Sequence, residues 1–496
     1  MTLRLARARL EPYVWAVIVG AVLAFTTLVS PLVSAGLLLG LLFAVLALTR
    51  PVVLCYALVA AVVFLSGMPR GGLLPLLIPN EPILILSAGF AFFVMLARAK
   101  APKLPRPVLI ALGCMVFGTA LIPTLAYYAR GFPLTTSDVF SLVAPVQYVV
   151  LVWLFASLPE SEGDRYKIIM FMLMCGAVVA LIGLLEAARF TPVTNLIHTL
   201  YPSSQTRNAA EFGRVTSILG AWNSLGNFLM INLIIVLAMH GYKQRSSWGT
   251  ATLAVNLCLC GACLLASGSY ASLVGLVLSL FIVKGFDRRG WKIILLFLFG
   301  MTIAGFFLQN LIMERLDYQY RNGGIVPETL AYRFKVWADF YIPLIAQNPL
   351  WGITPTFEGR VTWAWAESQY FYLLVRSGLV SLLGHLAYVG TLMVWAFRRF
   401  RSPSEVTHQL AVALFAIMSV LSIMGFTNEV FTSSGAVDYV WMIVGLLAAG
   451  YRLKVENPTP LEVTLPDFDA YDVHRPAARG VLQPAPSGFS SAKGRS

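Results

Sequence analysis

Residues 12–49 read PYVWAVIVGAVLAFTTLVSPLVSAGLLLGLLFAVLALT, an apolar run without one charged side chain. Arg4, Arg7 and Arg9 precede it, and Arg50 follows. A helix that crosses the hydrocarbon core of a bilayer needs about 20 mainly apolar residues, so the run is long enough for two. Lys and Arg gather on the cytoplasmic side of membrane helices, so a run with basic residues at both ends crosses twice. Ser30-Pro31 supplies the turn. The first apolar run lacks a cleavage pattern and reads as an anchor.

The same unit recurs along the chain. In residues 246–283, Lys243 and Arg245 precede the apolar stretch, Lys284, Arg288 and Arg289 follow, and Ser267-Gly268-Ser269 marks the hairpin tip. Fourteen spans are predicted: 13–30, 32–49, 52–66, 82–97, 107–128, 138–158, 168–187, 217–239, 249–266, 270–283, 292–311, 367–397, 405–425 and 437–451. The expected architecture is an all-α polytopic bundle over 1–454, with a disordered, Pro-, Ser- and charge-rich tail over 455–496.

Composition agrees. Apolar residues make up 58% of the 496 and charged residues 12%, against about 25% charged in soluble domains. Mean hydropathy is +0.77. So much apolar surface calls for lipid as solvent. The net charge of +13 would hint at nucleic acid in a soluble protein, but here it follows from orientation, and no nucleic acid is expected. The six cysteines lie inside apolar stretches, so disulfides are not expected. Cys258, Cys260 and Cys263 have no His or carboxylate beside them, so no metal site is predicted.

Twenty-five of the 36 basic residues fall on one side of the fourteen-span topology, which puts both termini in the cytoplasm. The eleven left outside are Arg70, Arg130, Arg189, Arg207, Arg214, Arg315, Arg321, Arg333, Lys335, Arg360 and Arg376. Ten are Arg. A guanidinium fork grips phosphate oxygens in two places, so the bias points to an anionic ligand outside. Snorkelling, or pairing with Glu211, Glu314, Asp317, Glu328 and Asp339, is the alternative.

Two large outer loops are predicted, 188–216 and 312–366. In the second, Leu330, Phe334, Trp337, Tyr341 and Leu344 recur at helical spacing between a start at Pro327-Glu328 and a stop at Asn348-Pro349. This predicts an amphipathic helix on the membrane surface. Trp351, Phe357, Trp363, Trp365, Tyr370, Phe371 and Tyr372 follow, fitting either an interfacial aromatic belt or a sugar-stacking cleft.

Four motifs in residues 165–450 together resemble the O-antigen ligase and Wzy-type polysaccharide polymerase family. The first is Arg214 to Asn227, RVTSILGAWNSLGN, an arginine, a glycine and an Asn-x-x-Gly entry into a helix. The second is Ser267-Gly268-Ser269-Tyr270, where family members often have Ser-Arg-Gly. The third is Arg333…Trp337…Asn348-Pro349-Leu350-Trp351-Gly352. The fourth runs from Glu367 to Leu379, ESQYFYLLVRSGL.

The resemblance implies a glycosyltransferase-C-like membrane bundle in the cell inner membrane, active toward the periplasm without metal or cofactor. Its donor and acceptor would be polyprenyl-pyrophosphate-linked glycans, with a chain-length regulator and a flippase as further partners. Arg214 and Arg333 would hold the pyrophosphate. Arg321, Arg360, Arg376, Asn223, Trp337 and Tyr370 would line the substrate site. Ligases commonly carry a His in the fourth motif. Here Glu367 is the nearest ionisable residue, as a base or as an ion-pair or capping residue, which favours polymerase over ligase. Arg376 lies nine residues on, an intramembrane Arg with either a functional or a packing role. Of the histidines, His198 is an outer alternative base, His385 reads as packed within its helix, and His240 and His408 fall near cytoplasmic helix ends. A lipid-linked oligosaccharide flippase is the rival of another class, although no repeat between the halves is evident.

Overall fold

A computed structural model describes residues 47–69, 79–97, 104–135, 138, 143–208, 214–243, 246–285, 295, 299–300, 302–303, 305–306, 309–320, 326–354, 366–433 and 435–456. Among these, all regular structure is helical. The helices are α1 Val52–Leu65, α2 Asn80–Ala97, α3 Arg106–Ala129, α4 Val143–Ser157, α5 Glu162–Ala187, α6 Thr191–Leu200, α7 Ser204–Asn208 and α8 Trp222–Met239. They continue with α9 Ser247–Ala266, α10 Tyr270–Gly285, α11 Gln309–Gln319, α12 Glu328–Val336, α13 Ile342–Gln347, α14 Gln369–Arg398, α15 Glu405–Met424 and α16 Ala436–Glu456.

Seven of the described helices, α3, α5, α8, α9, α14, α15 and α16, are long and apolar enough to cross a membrane. Helices α1, α2, α4 and α10 hold shorter apolar stretches. Eleven of the predicted spans coincide with described helices. The stretches 13–30, 32–49 and 292–311 lie wholly or mostly outside the described residues. The chain divides into two units, Met1–Leu453 and Lys454–Ser496. Of the second, only residues 454–456 are described, and the predicted disordered tail lies outside the described residues.

Helices α8 and α16 are central, with 83% of their spanning stretches buried in protein against 39% in α3 and α14. Helix α8 packs against α5, α9, α10 and α15, while α14 packs between α3 and α15. Lipid gives no hydrophobic drive to helix association, so small residues set the close contacts. A Cβ placed on Gly118 of α3 would lie 2.8 Å from the Cα of Gly384 in α14, so backbone rests on backbone there. Buried polar links tie α8 to α10 and to the connection before α16: Ser272 Oγ donates to Asn227 Oδ1 at 3.1 Å, and Asn227 Nδ2 donates to Ser433 Oγ at 3.1 Å.

Two helical runs contain π turns, Cys114–Leu121 in α3 and Trp337–Tyr341 between α12 and α13. Each ends two residues before a proline, Pro123 and Pro343. A proline within a helix lacks the N–H for its i−4 carbonyl and crowds that carbonyl, and widening the preceding turn relieves both problems. The stretch 327–348, predicted as one amphipathic helix, is helical but not uniform. Its buried residues are Val336 and Tyr341, five apart across the π turn, while Phe334, expected on the apolar face, is 52% exposed.

Two further expectations change. The predicted loop 188–216 contains α6 and α7. Arg165 and Arg452, counted as loop cations, are buried in the bundle. Helix α5 starts at Glu162, with Ser161 capping the Asp164 amide, so Arg165 falls in the first turn rather than before it. Its Nε donates to the Leu446 carbonyl at 2.9 Å and Nη1 to Thr407 Oγ1 at 3.0 Å. Arg452 donates to the carbonyls of Ser157 and Pro159.

Candidate functional site at the helix ends opposite Arg165

Within helix α5, Arg165 and Glu186 stand about 30 Å apart at 1.5 Å per residue. The end that holds Glu186 also gathers the starts of α8, α14 and α16 and the turn between α9 and α10. Most residues expected to carry chemistry lie at this end, in three groups.

The first group centres on Glu367. Its φ is +53°, a left-handed conformation that costs a non-glycine residue about 1 kcal/mol or more and persists only when its surroundings hold it. Three contacts do so. Arg333 of α12 donates to Glu367 Oε2 from Nε at 3.1 Å and from Nη2 at 2.9 Å. The Glu367 amide donates to Glu429 Oε1 at 3.1 Å. One residue earlier, Trp337 Nε1 donates to the Ala366 carbonyl at 2.8 Å, and its ring lies 5.1 Å from that of Phe371. The α14 start is also stitched to the connection after α15. The Gln369 amide donates to the Gly425 and Asn428 carbonyls, and the Phe431 amide donates to Gln369 Oε1 at 3.1 Å. A small apolar cluster of Val336, Tyr341, Ala366 and Val375 lies beneath.

Glu429 belongs to this group and was not singled out from sequence. It is half-buried, and burial pushes its carboxyl up to about 7. Repulsion from Glu367 adds to the rise, while hydrogen bonds from the Ala366 and Glu367 amides oppose it. The nearby phenols of Tyr341 and Tyr332 are also shifted up by burial, with Glu367 adding to both.

The second group holds Arg214. Its guanidinium lies over the Trp222 ring, 4.7 Å from the centroid. Its side chain also covers Gly268, where an added Cβ would stand 3.4 Å from Arg214 Cγ. Gly268 has φ +60°, so the tip of the α9–α10 hairpin supplies a flat backbone shelf for the arginine. Glu186, the last acidic residue of α5, accepts the Thr216 amide at 3.0 Å and the Ser217 amide at 2.6 Å, which fixes the turn after Arg214. Asn223 lies half-buried in the first turn of α8.

The third group is a helix break. Gly378, inside α14, has φ +69° and ψ −166°, which interrupts the ladder. Residues 349–353 fill the gap. The Leu379 amide donates to the Pro349 carbonyl at 2.8 Å, and the Ile353 amide donates to the Val375 carbonyl at 2.8 Å. In an unbroken helix the Leu379 amide and the Val375 carbonyl would bond each other, so the strap returns both partners. The contact requires glycine on each side. A Cβ on Gly352 would lie 2.4 Å from the Ser377 nitrogen, and one on Gly378 would lie 2.2 Å from the Leu350 oxygen. Arg130 at the end of α3 donates to the Gly352 carbonyl at 3.0 Å. Arg376, one turn beyond Tyr372, donates to its hydroxyl at 3.2 Å. The regular helix that puts these two on one face ends two residues later, at Gly378.

Of the residues expected at the site, Arg333, Glu367 and Trp337 come together. Arg214 with Asn223, and Arg376 with Tyr372, form separate groups. The stretch 425–433 links the first two groups, reaching Gln369 through Phe431 and Asn227 of α8 through Ser433. Tyr370 turns away from them and donates its hydroxyl to the Ser422 carbonyl at 2.6 Å. Arg321 and Arg360 lie outside the described residues. Among the described residues, no group of three or more His, Cys, Asp or Glu side chains could hold a metal ion. No protein-family model matches the chain, and no curated protein aligns with it significantly.

Proposed function

We propose that this chain is a membrane glycosyltransferase that polymerises polyprenyl-pyrophosphate-linked oligosaccharide repeat units at the outer face of the inner membrane. In this reading it has about fourteen spans with both termini cytoplasmic, and the Glu367 end faces the periplasm. The observation that supports it most is the meeting of Arg333, Glu367 and Glu429, where an outer helix, the α14 start and the connection after α15 converge. Carboxylates suit proton removal from a sugar hydroxyl, and arginines suit a phosphate leaving group.

The acceptor hydroxyl attacks the anomeric carbon of the donor glycan, and polyprenyl pyrophosphate departs. A single displacement inverts that carbon. Arg333 spends two N–H groups on Glu367 and keeps three for phosphate oxygens. Arg214, held flat between Trp222 and Gly268, supplies a second fixed charge. Such preset donors act where charge develops, without reorganisation during the reaction.

The test is glycan elongation by the purified chain with synthetic lipid-pyrophosphate repeat units. Longer glycans on the same lipid are expected, and Arg333→Ala and Arg214→Ala should each slow the reaction about 100-fold or more. Transfer only to a different acceptor would make the chain a ligase. Full activity in both variants would remove the pyrophosphate clamp.

A further inference from the structure

We infer that Glu429, rather than Glu367, takes the proton from the attacking hydroxyl, an assignment that rests on the transferase reading above. The two carboxylates are neighbours but differently employed. Glu367 faces Arg333, and both of the arginine's hydrogen bonds end on one of its oxygens. Its left-handed backbone belongs to the same arrangement. For Glu367 to accept a proton, that ion pair would have to loosen at the moment a nearby phosphate needs Arg333 in place.

Glu429 has no ion pair among the described residues. Its carboxylate is held by peptide N–H groups, with Oε1 accepting from Glu367. A carboxylate offers about four lone-pair sites, so capacity remains for a hydroxyl. The residue is half-buried, which leaves it open to an incoming group. It sits on the 425–433 connection, which bonds to Gln369 of α14 through Phe431 and to Asn227 of α8 through Ser433.

Charged and titratable groups face it from the α14 start, from α12 and from the π turn. Glu367 repels its negative charge, and Arg333 lies behind Glu367. Tyr341 faces it from the π turn, with Tyr332 beyond, and both phenols hold their protons more firmly than usual. The carboxylate is left poised near neutrality, where a general base works best.

The step balances simply. The acceptor O–H bond breaks and its proton goes to a Glu429 oxygen. The acceptor oxygen bonds to the anomeric carbon. The bond from that carbon to the pyrophosphate oxygen breaks, and its electron pair leaves with polyprenyl pyrophosphate. Proton uptake also ends the repulsion between Glu429 and Glu367.

The experiment measures elongation against pH for the full-length protein and its Glu429→Gln and Glu429→Asp variants, with synthetic lipid-pyrophosphate repeat units. Glutamine keeps a carbonyl oxygen for the Glu367 amide, so the turn is retained. The wild-type rate should rise with pH to a plateau, with a midpoint near 7. Glu429→Gln should lose on the order of 100- to 10,000-fold in rate and lose that pH dependence. It should still bind a donor lacking the acceptor hydroxyl within about threefold of wild type. Glu429→Asp should restore part of the rate together with a pH midpoint. A wild-type enzyme that elongates glycans while Glu429→Gln keeps its rate and midpoint would overturn the assignment alone. A wild-type protein that transfers no glycan would overturn the transferase reading and the assignment with it.

Discussion

Glu367 lies just ahead of α14 and forms an ion pair, one of the roles expected for it. Its place in the fourth motif of the family resemblance, where ligases commonly carry a His, marked it as a candidate. Its partner was invisible there, because Arg333 lies 34 residues away, across a loop whose path composition does not specify. Glu429 was missed for a related reason: a single acid in a short connection has no spacing to read, and its importance comes from contacts with a distant turn. Two outcomes follow at this scale. A double-mutant cycle of Arg333→Ala and Glu367→Ala should give a coupling of about 1 kcal/mol in unfolding stability, since both side chains keep some contact with solvent. A coupling near zero would show that the pair does not tie α12 to the start of α14. The second outcome concerns pH. The folded chain holds the Glu429 proton up to about pH 7, whereas an unfolded glutamate loses it near pH ~4.3. The folded state therefore binds more protons in this window, and this group's contribution to stability is fullest in acid and declines as pH rises through 7. Thermal melts of Glu429→Gln against wild type should show the variant gaining relative stability between pH 5 and pH 8. A difference independent of pH would rule out this titration.

Among the elements, charge and hydropathy located most helices well. The Ser267-Gly268-Ser269 tip falls between α9 and α10 as expected, and the helical stretch after Pro327 starts at Glu328 and stops before Asn348. The break in α14 was harder to see. Arg376-Ser377-Gly378 lies inside an apolar run, where a lone glycine is compatible with a continuous helix. Only the docking of 349–353 turns Gly378 into an interruption. Gly378→Ala should cost about 3 kcal/mol or more, because its backbone conformation is nearly exclusive to glycine and the added carbon meets the Leu350 oxygen. Thermal unfolding in detergent would measure it. Gly89→Ala in α2 is the matching control: nothing lies within 4 Å of its added Cβ, so it should be neutral or slightly stabilising. Equal effects at the two positions would remove the strap as a structural tie.

For the whole molecule, the distribution of Lys and Arg carried the reading. Arg165 and Arg452 show its limit, since a count of charges along a chain cannot distinguish a solvated cation from one bonded to backbone carbonyls inside the bundle. The orientation itself can be tested. With the native cysteines replaced, a cysteine at Thr432 should react with an impermeant maleimide in intact cells, and one at Ser404 only after permeabilisation. These positions flank α15 at opposite ends, and the reverse pattern would invert the topology. The strap across α14 also governs hydrogen exchange at one amide. The Leu379 amide is protected by the Pro349 carbonyl, not by its own helix. Its exchange rate therefore reports whether residues 349–353 are seated. Protection at Leu379 that falls in step with that of Ile353, while the rest of α14 stays protected, would be a direct record of the strap lifting away.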